Sequence, residues 1–362
     1  MGNAYSRLLV NLSLILTVLG LIMLTSASAV LGEQQYGDVF YFVKRQIIQG
    51  VLLGSILAII LARVPLDLIK KFSFVLFFLN VIITLLCFIP PFKVSGSALR
   101  WVKIGPISFQ PSEFLKITYP LFLATFLEKF SLSQRKKIFA KPFLTFLFSL
   151  GLIALIIIKQ PSTGTIVIIA FASSLMYFIA GLSGKQILVL ALIICLGGFY
   201  IVKTTPYRLT RVLSFFQGEN TQGENYHITQ ALIGIGSGGW FGLGLGNSVQ
   251  KFNYLPESHT DAIFPIIAEE LGFIGATIVV ILFILLISVG FKITQKNQQE
   301  FSKFLAGGLT AYLVIQIFIN LGGMLHLIPI AGVPLPFFSY GSSSLVTTLA
   351  TVGLLCNLAK NI

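Results

Sequence analysis

The stretch YHITQALIGIGSGGWFGLGLGNSVQKFNYLPESHTDAIFPIIAEELGFIG, Tyr226 to Gly275, joins a polar, glycine-rich segment to an apolar run that continues to about residue 291. Such a run is long enough to cross a bilayer as a helix, which takes about 20 residues. Glu257, His259, Thr260 and Asp261 stand directly before it. Titratable groups are thereby delivered to a membrane face, where they are costly unless paired or used.

The rest of the 362-residue chain extends the same theme. Mean hydropathy is +0.92 and only 10% of residues are charged, far from a soluble domain. Ten apolar runs predict membrane helices at about 8–30, 46–62, 72–90, 110–128, 143–158, 164–181, 186–202, 264–291, 304–328 and 338–358. The expected fold is an all-α polytopic membrane protein of about ten transmembrane helices in a single domain, 1–362, with a long extracytoplasmic loop, about 203–263, between spans seven and eight. Arg7 before the first run and Ala27-Ser28-Ala29 within it imitate a secretory signal, but the length of the run favours a retained span.

Orientation follows from Lys and Arg, which concentrate in short cytoplasmic loops. With the N-terminus inside, 14 fall on the cytoplasmic side and 10 outside, and Lys116 sits within span four. Four of the ten occupy the long loop, which the charge rule weights little, so the comparison is 14 against 6. Both termini are predicted to be cytoplasmic. The net charge of +13 thus needs only membrane insertion to explain it, and nucleic acid is not an expected partner. The basic loop Glu128–Pro142, EKFSLSQRKKIFAKP, reads as a stop-transfer cluster. The outer basic residues run against the rule, and an anionic partner at that face is the simplest reason to keep them.

Irregular backbone is expected at Gln160-Pro161 and at Pro329 through Pro336, a feature tolerated near membranes where it lines a wet cavity. With the 96–110 loop and the long loop, these put four polar elements on the outer face and argue for an externally open site. Asp261 has two readings: a helix N-cap, or a general base taking a proton from a substrate hydroxyl. Glu257 and His259 are neighbours that either position substrate or hold the loop. Glu113 and Lys116, three apart, share a helix face and can pair, either as a structural ion pair or as the border of a cavity. Arg100, Lys103, Arg208, Arg211 and Lys251 are outer cations suited to an anion or to lipid headgroups; a guanidinium can grip two oxygens at once.

Other signals point away from further chemistry. The glycines of 234–246 have no preceding strand and no following Gly-Lys-Ser/Thr, which excludes a phosphate-binding P-loop and predicts a close-packed re-entrant or interfacial helix. His227, His259 and His326 lack ligand spacing, so no built-in metal site is expected. Cys87, Cys195 and Cys356 each lie in an apolar run and read as small core residues.

Four motifs, in order, resemble the SEDS family (FtsW, RodA, SpoVE), the membrane-embedded peptidoglycan glycosyltransferases of bacteria: GSALRWVKIGPISFQPSEFLK at Gly96–Lys116, KQPSTGT at Lys159–Thr165, the quoted stretch, and LPFFSYGSSSL at Leu335–Leu345. Ten spans is also what this family has. The resemblance implies that Asp261 is the base that deprotonates the acceptor's 4-hydroxyl in an inverting polymerisation of lipid II, a polyprenyl-pyrophosphate-linked disaccharide peptide. It implies that Arg100, Lys103, Glu113, Lys116, Arg208, Arg211, Lys251, Glu257 and His259 contact substrate. No nucleotide or built-in cofactor is implied, although a divalent cation, Mg or Mn, can accompany the pyrophosphate. Implied partners are a class B penicillin-binding protein, divisome or elongasome proteins and membrane lipids, in the cytoplasmic membrane. GLGNSVQK followed by YLPE resembles the division branch, FtsW, more than the elongation branch, RodA. The family pattern is broken at Ala262, Pro265 and Ser342. A lipid II flippase is the competing expectation; it would line a path through the bilayer rather than one face, while a mere scaffold would leave Asp261 replaceable.

Overall fold

The computed structural model describes residues 2–89, 99–104, 107–160, 162–204, 209–210, 212, 215, 224–252 and 254–362. Each of the ten apolar runs coincides with a helix. They are α1 (Gly2–Tyr36), α2 (Tyr41–Arg63), α3 (Leu66–Leu86), α4 (Pro111–Leu127), α5 (Lys141–Ile158), α6 (Thr163–Ile179), α7 (Gly184–Thr204), α9 (Ile263–Lys296), α10 (Glu300–Met324) and α11 (Ser342–Ala359), with α8 (Glu224–Ser237) before α9. Eight of the ten are long and apolar enough to cross a membrane. The other two, α4 and α6, are 17 residues each, or about 26 Å at 1.5 Å per residue.

The helices sort by what they bury. In α11, 94% of the most apolar stretch is buried and in α10, 78%, against 6% in α7. The first two therefore form the centre of the bundle, and α7 turns an apolar face outward. Leu, Ile and Phe side chains of α2, α3, α5, α7 and α9 are likewise exposed, as expected of surfaces whose solvent is lipid. Cys195 lies on exposed α7, whereas Cys87 and Cys356 are buried; the expectation of three core cysteines is corrected for Cys195.

Polar groups join the central helices, because a hydrogen bond made away from water leaves no unsatisfied partner. The Asn357 amide donates to Leu61 O and Val64 O, both at 2.7 Å, tying the end of α11 to the end of α2. At the same end of the bundle, Arg135 donates to Glu300 at 2.5 and 2.6 Å and to Ala180 O at 3.0 Å. The stop-transfer loop thus contributes one clasp, in which the arginine is buried and the glutamate faces outward.

Two local structures depart from the sequence reading. Within the 96–110 loop, β1 (Val102–Ile104) and β2 (Ile107–Phe109) pair antiparallel, with Lys103 opposite Ser108. Three-residue strands are too short to show an alternating pattern. The glycines after α8 do not continue a helix: Gly239, Gly242, Gly244 and Gly246 all have positive φ, which ends helical propagation.

Instead they form a hook. Helix α9 breaks at Gly272 (φ 68°, ψ −174°), which would orphan main-chain groups on either side of the break. Leu243 N–H and Gly244 N–H donate to Glu269 O and Glu270 O at 2.9 and 3.1 Å, and Phe273 N–H and Ile274 N–H donate to Gly239 O and Trp240 O at 2.8 and 3.2 Å. A Cβ on Gly272 would lie 2.3 Å from Gly242 N, so the contact needs glycine.

Candidate active site

One end of the bundle gathers the starts of α2, α4, α6, α9 and α11 and holds a cavity of about 590 Å³, within the range of small-molecule sites. Residues of all four motifs line it: Arg100, Trp101, Gln110, Glu113 and Lys116; then Ser162, Thr163 and Thr165; then Glu257, Thr260 and Asp261; and Tyr340 through Ser344. The Ala331–Pro334 segment completes the wall. Helix starts concentrate N–H groups and partial positive charge, which favours anions.

Asp261 sits in the turn before α9, half-buried. The N-cap position is taken by Ala262, with no side-chain cap. The Asp261 main-chain carbonyl accepts from Asn320 Nδ2 at 2.7 Å. The turn is tight because Glu257 adopts φ 54° and its carbonyl accepts from Thr260 N–H at 3.0 Å and Ala262 N–H at 3.1 Å. Thr260 Oγ1 donates to the Glu257 carboxylate at 2.5 Å. Opposite lies Gly332 (φ 63°), where an added Cβ would be 3.4 Å from Asp261 Oδ2.

The floor is a buried ion pair. Lys116 Nζ donates to Glu113 Oε1 and Oε2 at 2.7 and 2.8 Å and to Gln316 Oε1 at 2.8 Å, which uses all three of its protons. Below it Tyr119, Pro120, Ile168 and Tyr312 pack around a void of about 10 Å³. The Gln316 amide donates onward to Pro334 O at 2.9 Å.

His259 is not part of the lining. Its ring packs against Phe42 and Tyr340, with centroids 4.7 and 5.8 Å away. Burial pushes its pKa below the ordinary value of 6.5, against the opposing charge of Glu257. Packed against these two rings, His259 braces the loop. Lys103 is exposed on β1, outside the lining. Lys251 is buried, donating to Ser26 Oγ at 3.2 Å, to Glu270 Oε1 at 3.3 Å and to Gly246 O. These three expected substrate contacts therefore sit elsewhere, Lys251 because buried Glu270 claims it. Arg208 and Arg211 lie outside the described residues.

The cavity also contains residues the sequence reading missed. Arg45 and Gln49 of α2 line it, and Arg45 donates to Tyr41 Oη at 3.2 Å. Gln46 donates to Ser339 O and accepts from Gly341 N–H, each at 3.2 Å; a short π-helix, Gln46–Leu52, begins there. The signal that could have found Gln46, Gln316 and Asn320 was polarity inside apolar spans.

Fold and site together define a multi-pass membrane protein with a polar, partly cationic cavity at one end of its bundle. The family model for the FtsW/RodA/SpoVE cell cycle proteins matches residues 6–362, and the chain belongs to that family. A probable peptidoglycan glycosyltransferase FtsW of Coxiella burnetii is 36% identical over 98% of this chain and 96% of its own length. Stage V sporulation protein E of Bacillus subtilis is 37% identical at the same coverage. Among solved structures, a chain of a peptidoglycan synthase complex that coordinates polymerization and crosslinking superposes with TM-score 0.78 at 27% identity, covering 97% of this chain and 96% of that one. Thermus thermophilus RodA superposes at 0.68 with 26% identity, covering 97% of this chain and 95% of that one.

Proposed function

We propose that this protein is an inverting peptidoglycan glycosyltransferase that polymerises lipid II at the outer face of the cytoplasmic membrane, with both termini inside. The observation that carries the reading is the convergence of four motifs, far apart in sequence, on one cavity with the half-buried Asp261 carboxylate in its wall.

In the proposed reaction Asp261 takes the proton of the acceptor's 4-hydroxyl as that oxygen attacks the donor's anomeric carbon. The C–O bond to the pyrophosphate breaks, and polyprenyl pyrophosphate leaves with the bonding electrons. Arg100 and Arg45, both in the lining, are suited to stabilise the charge that develops on it. A divalent cation, Mg or Mn, arriving with the pyrophosphate is compatible with this reading, in which the chain's own residues supply the base and the cationic groups. That the lining ends at the Lys116–Glu113–Gln316 cluster over packed aromatics favours a polymerase over a flippase, which needs a continuing path.

The FtsW names of relatives at 32–36% identity support septal wall synthesis as the role, and the likeness to a synthase complex supports a class B penicillin-binding protein as partner. The test is polymerisation of purified lipid II by the protein, alone and with such a partner, against Asp261→Asn. Glycan from wild type and none from the folded variant supports the reading. Equal product from both removes Asp261 from the chemistry, and lipid II translocation in vesicles without polymer replaces the polymerase by a flippase.

A further inference from the structure

Amide side chains inside a membrane-spanning helix are expensive unless used, and α10 buries two, Gln316 and Asn320, one turn apart. Neither belongs to the four motifs. At a spacing of four they share a helix face, separated along the axis by about 6 Å. Asn320 Nδ2 donates to Asp261 O and to Val333 O, both at 2.7 Å. Gln316 accepts from Lys116 Nζ at 2.8 Å and donates to Pro334 O at 2.9 Å.

Each amide thus holds one end of the cavity, and both grip adjacent carbonyls of the same wall. That wall carries Gly332, which abuts the Asp261 carboxylate. We propose that Gln316 and Asn320 are positioning residues, a two-rung amide ruler on α10 that fixes the separation between Asp261 and the Lys116–Glu113 floor. The proposal rests on the reading of Asp261 as general base. The Asp261 turn and the 331–334 wall are irregular and need a rigid reference to stand at constant distance from the floor on α4, and α10 supplies it. Proton abstraction demands the base within hydrogen-bond reach of its hydroxyl, and a misplacement of about 1 Å can cost about 100-fold in rate. Losing the Asn320 rung frees the Asp261 turn, while losing the Gln316 rung frees Lys116 and the floor.

The two rungs therefore predict different kinetic signatures. In lipid II polymerisation with the full-length protein and its partner, Asn320→Leu is expected to lower kcat by about 10- to 100-fold with KM within about twofold, since the rest of the lining is kept. Asn320→Ser, which retains one donor, should fall between it and wild type. Gln316→Met is expected to raise KM more than it lowers kcat. Circular dichroism and size-exclusion profiles establish that each variant is folded, and Asn320→Ser serves if Asn320→Leu is not. Wild-type kinetics in the Asn320 variants, or kcat and KM moving together in both positions with a matching fall in melting temperature, overturns the ruler in favour of plain packing. An Asp261→Asn protein as active as wild type sinks the base reading itself, and that outcome is read without any α10 variant.

Discussion

The main-chain N–H of Tyr340 donates to the carbonyl oxygen of His259 at 2.8 Å. This bond fastens the loop before α11 to the turn that carries Asp261, across 80 residues of sequence. The rings of the same two residues pack on Phe42, so α2 braces the junction from the third side. The cavity wall is consequently a single fastened unit.

Asp261→Asn keeps the shape of the side chain and removes its basicity. Polymerisation should fall by about 100- to 10,000-fold, the usual contribution of a general base, in a protein whose melting temperature stays near that of wild type.

Arg100 lines the cavity and Lys103, three residues on, does not. Arg100→Ala should lower kcat/KM by at least tenfold and Arg100→Lys should restore little of it, because an ammonium cannot reproduce a two-point grip. Lys103→Ala should stay within about twofold of wild type. Comparable losses at both positions would show that the hairpin contacts substrate along its length.

Breaking the Lys116–Glu113 pair strands one buried charge, at a cost of about 3–5 kcal/mol. Lys116→Met and Glu113→Gln should each lower the melting temperature of the detergent-solubilised protein. The double variant should regain much of that stability without regaining polymerisation. Full recovery of activity in the double variant would make the pair purely structural.

The depressed pKa of His259 has a definite sign in stability. A group whose folded pKa lies below its unfolded value of about 6.5 contributes stability above that value and loses it as pH falls through the folded pKa. Melting temperature should therefore drop as pH is lowered from about 7 to 5, and the slope should be shallower in His259→Gln. Identical slopes would place the sensitivity elsewhere.

Ten helices were legible because apolar runs of bilayer length leave few alternatives, and Asp261, Glu113 and Arg100 because each interrupts a motif with charge where charge is costly. Lys251 reads as a ligand for anions only until its partner is known: Glu270, 19 residues on, is invisible as a partner without the bend at Gly272. Gln316 and Asn320 were hidden for the opposite reason, as uncharged amides that barely interrupt an apolar run. The hook was misread as helix because a helix and a chain of left-handed turns are both open to glycine, and the choice between them is made by orphaned groups on another segment.

The break at Gly272 divides α9 into an arm, Ile263–Leu271, and a shaft, Phe273–Lys296, whose length of about 36 Å at 1.5 Å per residue is enough to cross a bilayer alone. The arm carries the turn of Asp261 and is bonded to the hook, which Lys251 and Glu270 in turn fasten to Ser26 of α1. A shaft in lipid answers changes in bilayer thickness by tilting. Because the hook is bonded to the arm through Glu269 O and Glu270 O and to the shaft through the N–H groups of Phe273 and Ile274, arm and shaft are joined as one piece, and the tilt of the shaft and the seat of the carboxylate are set together.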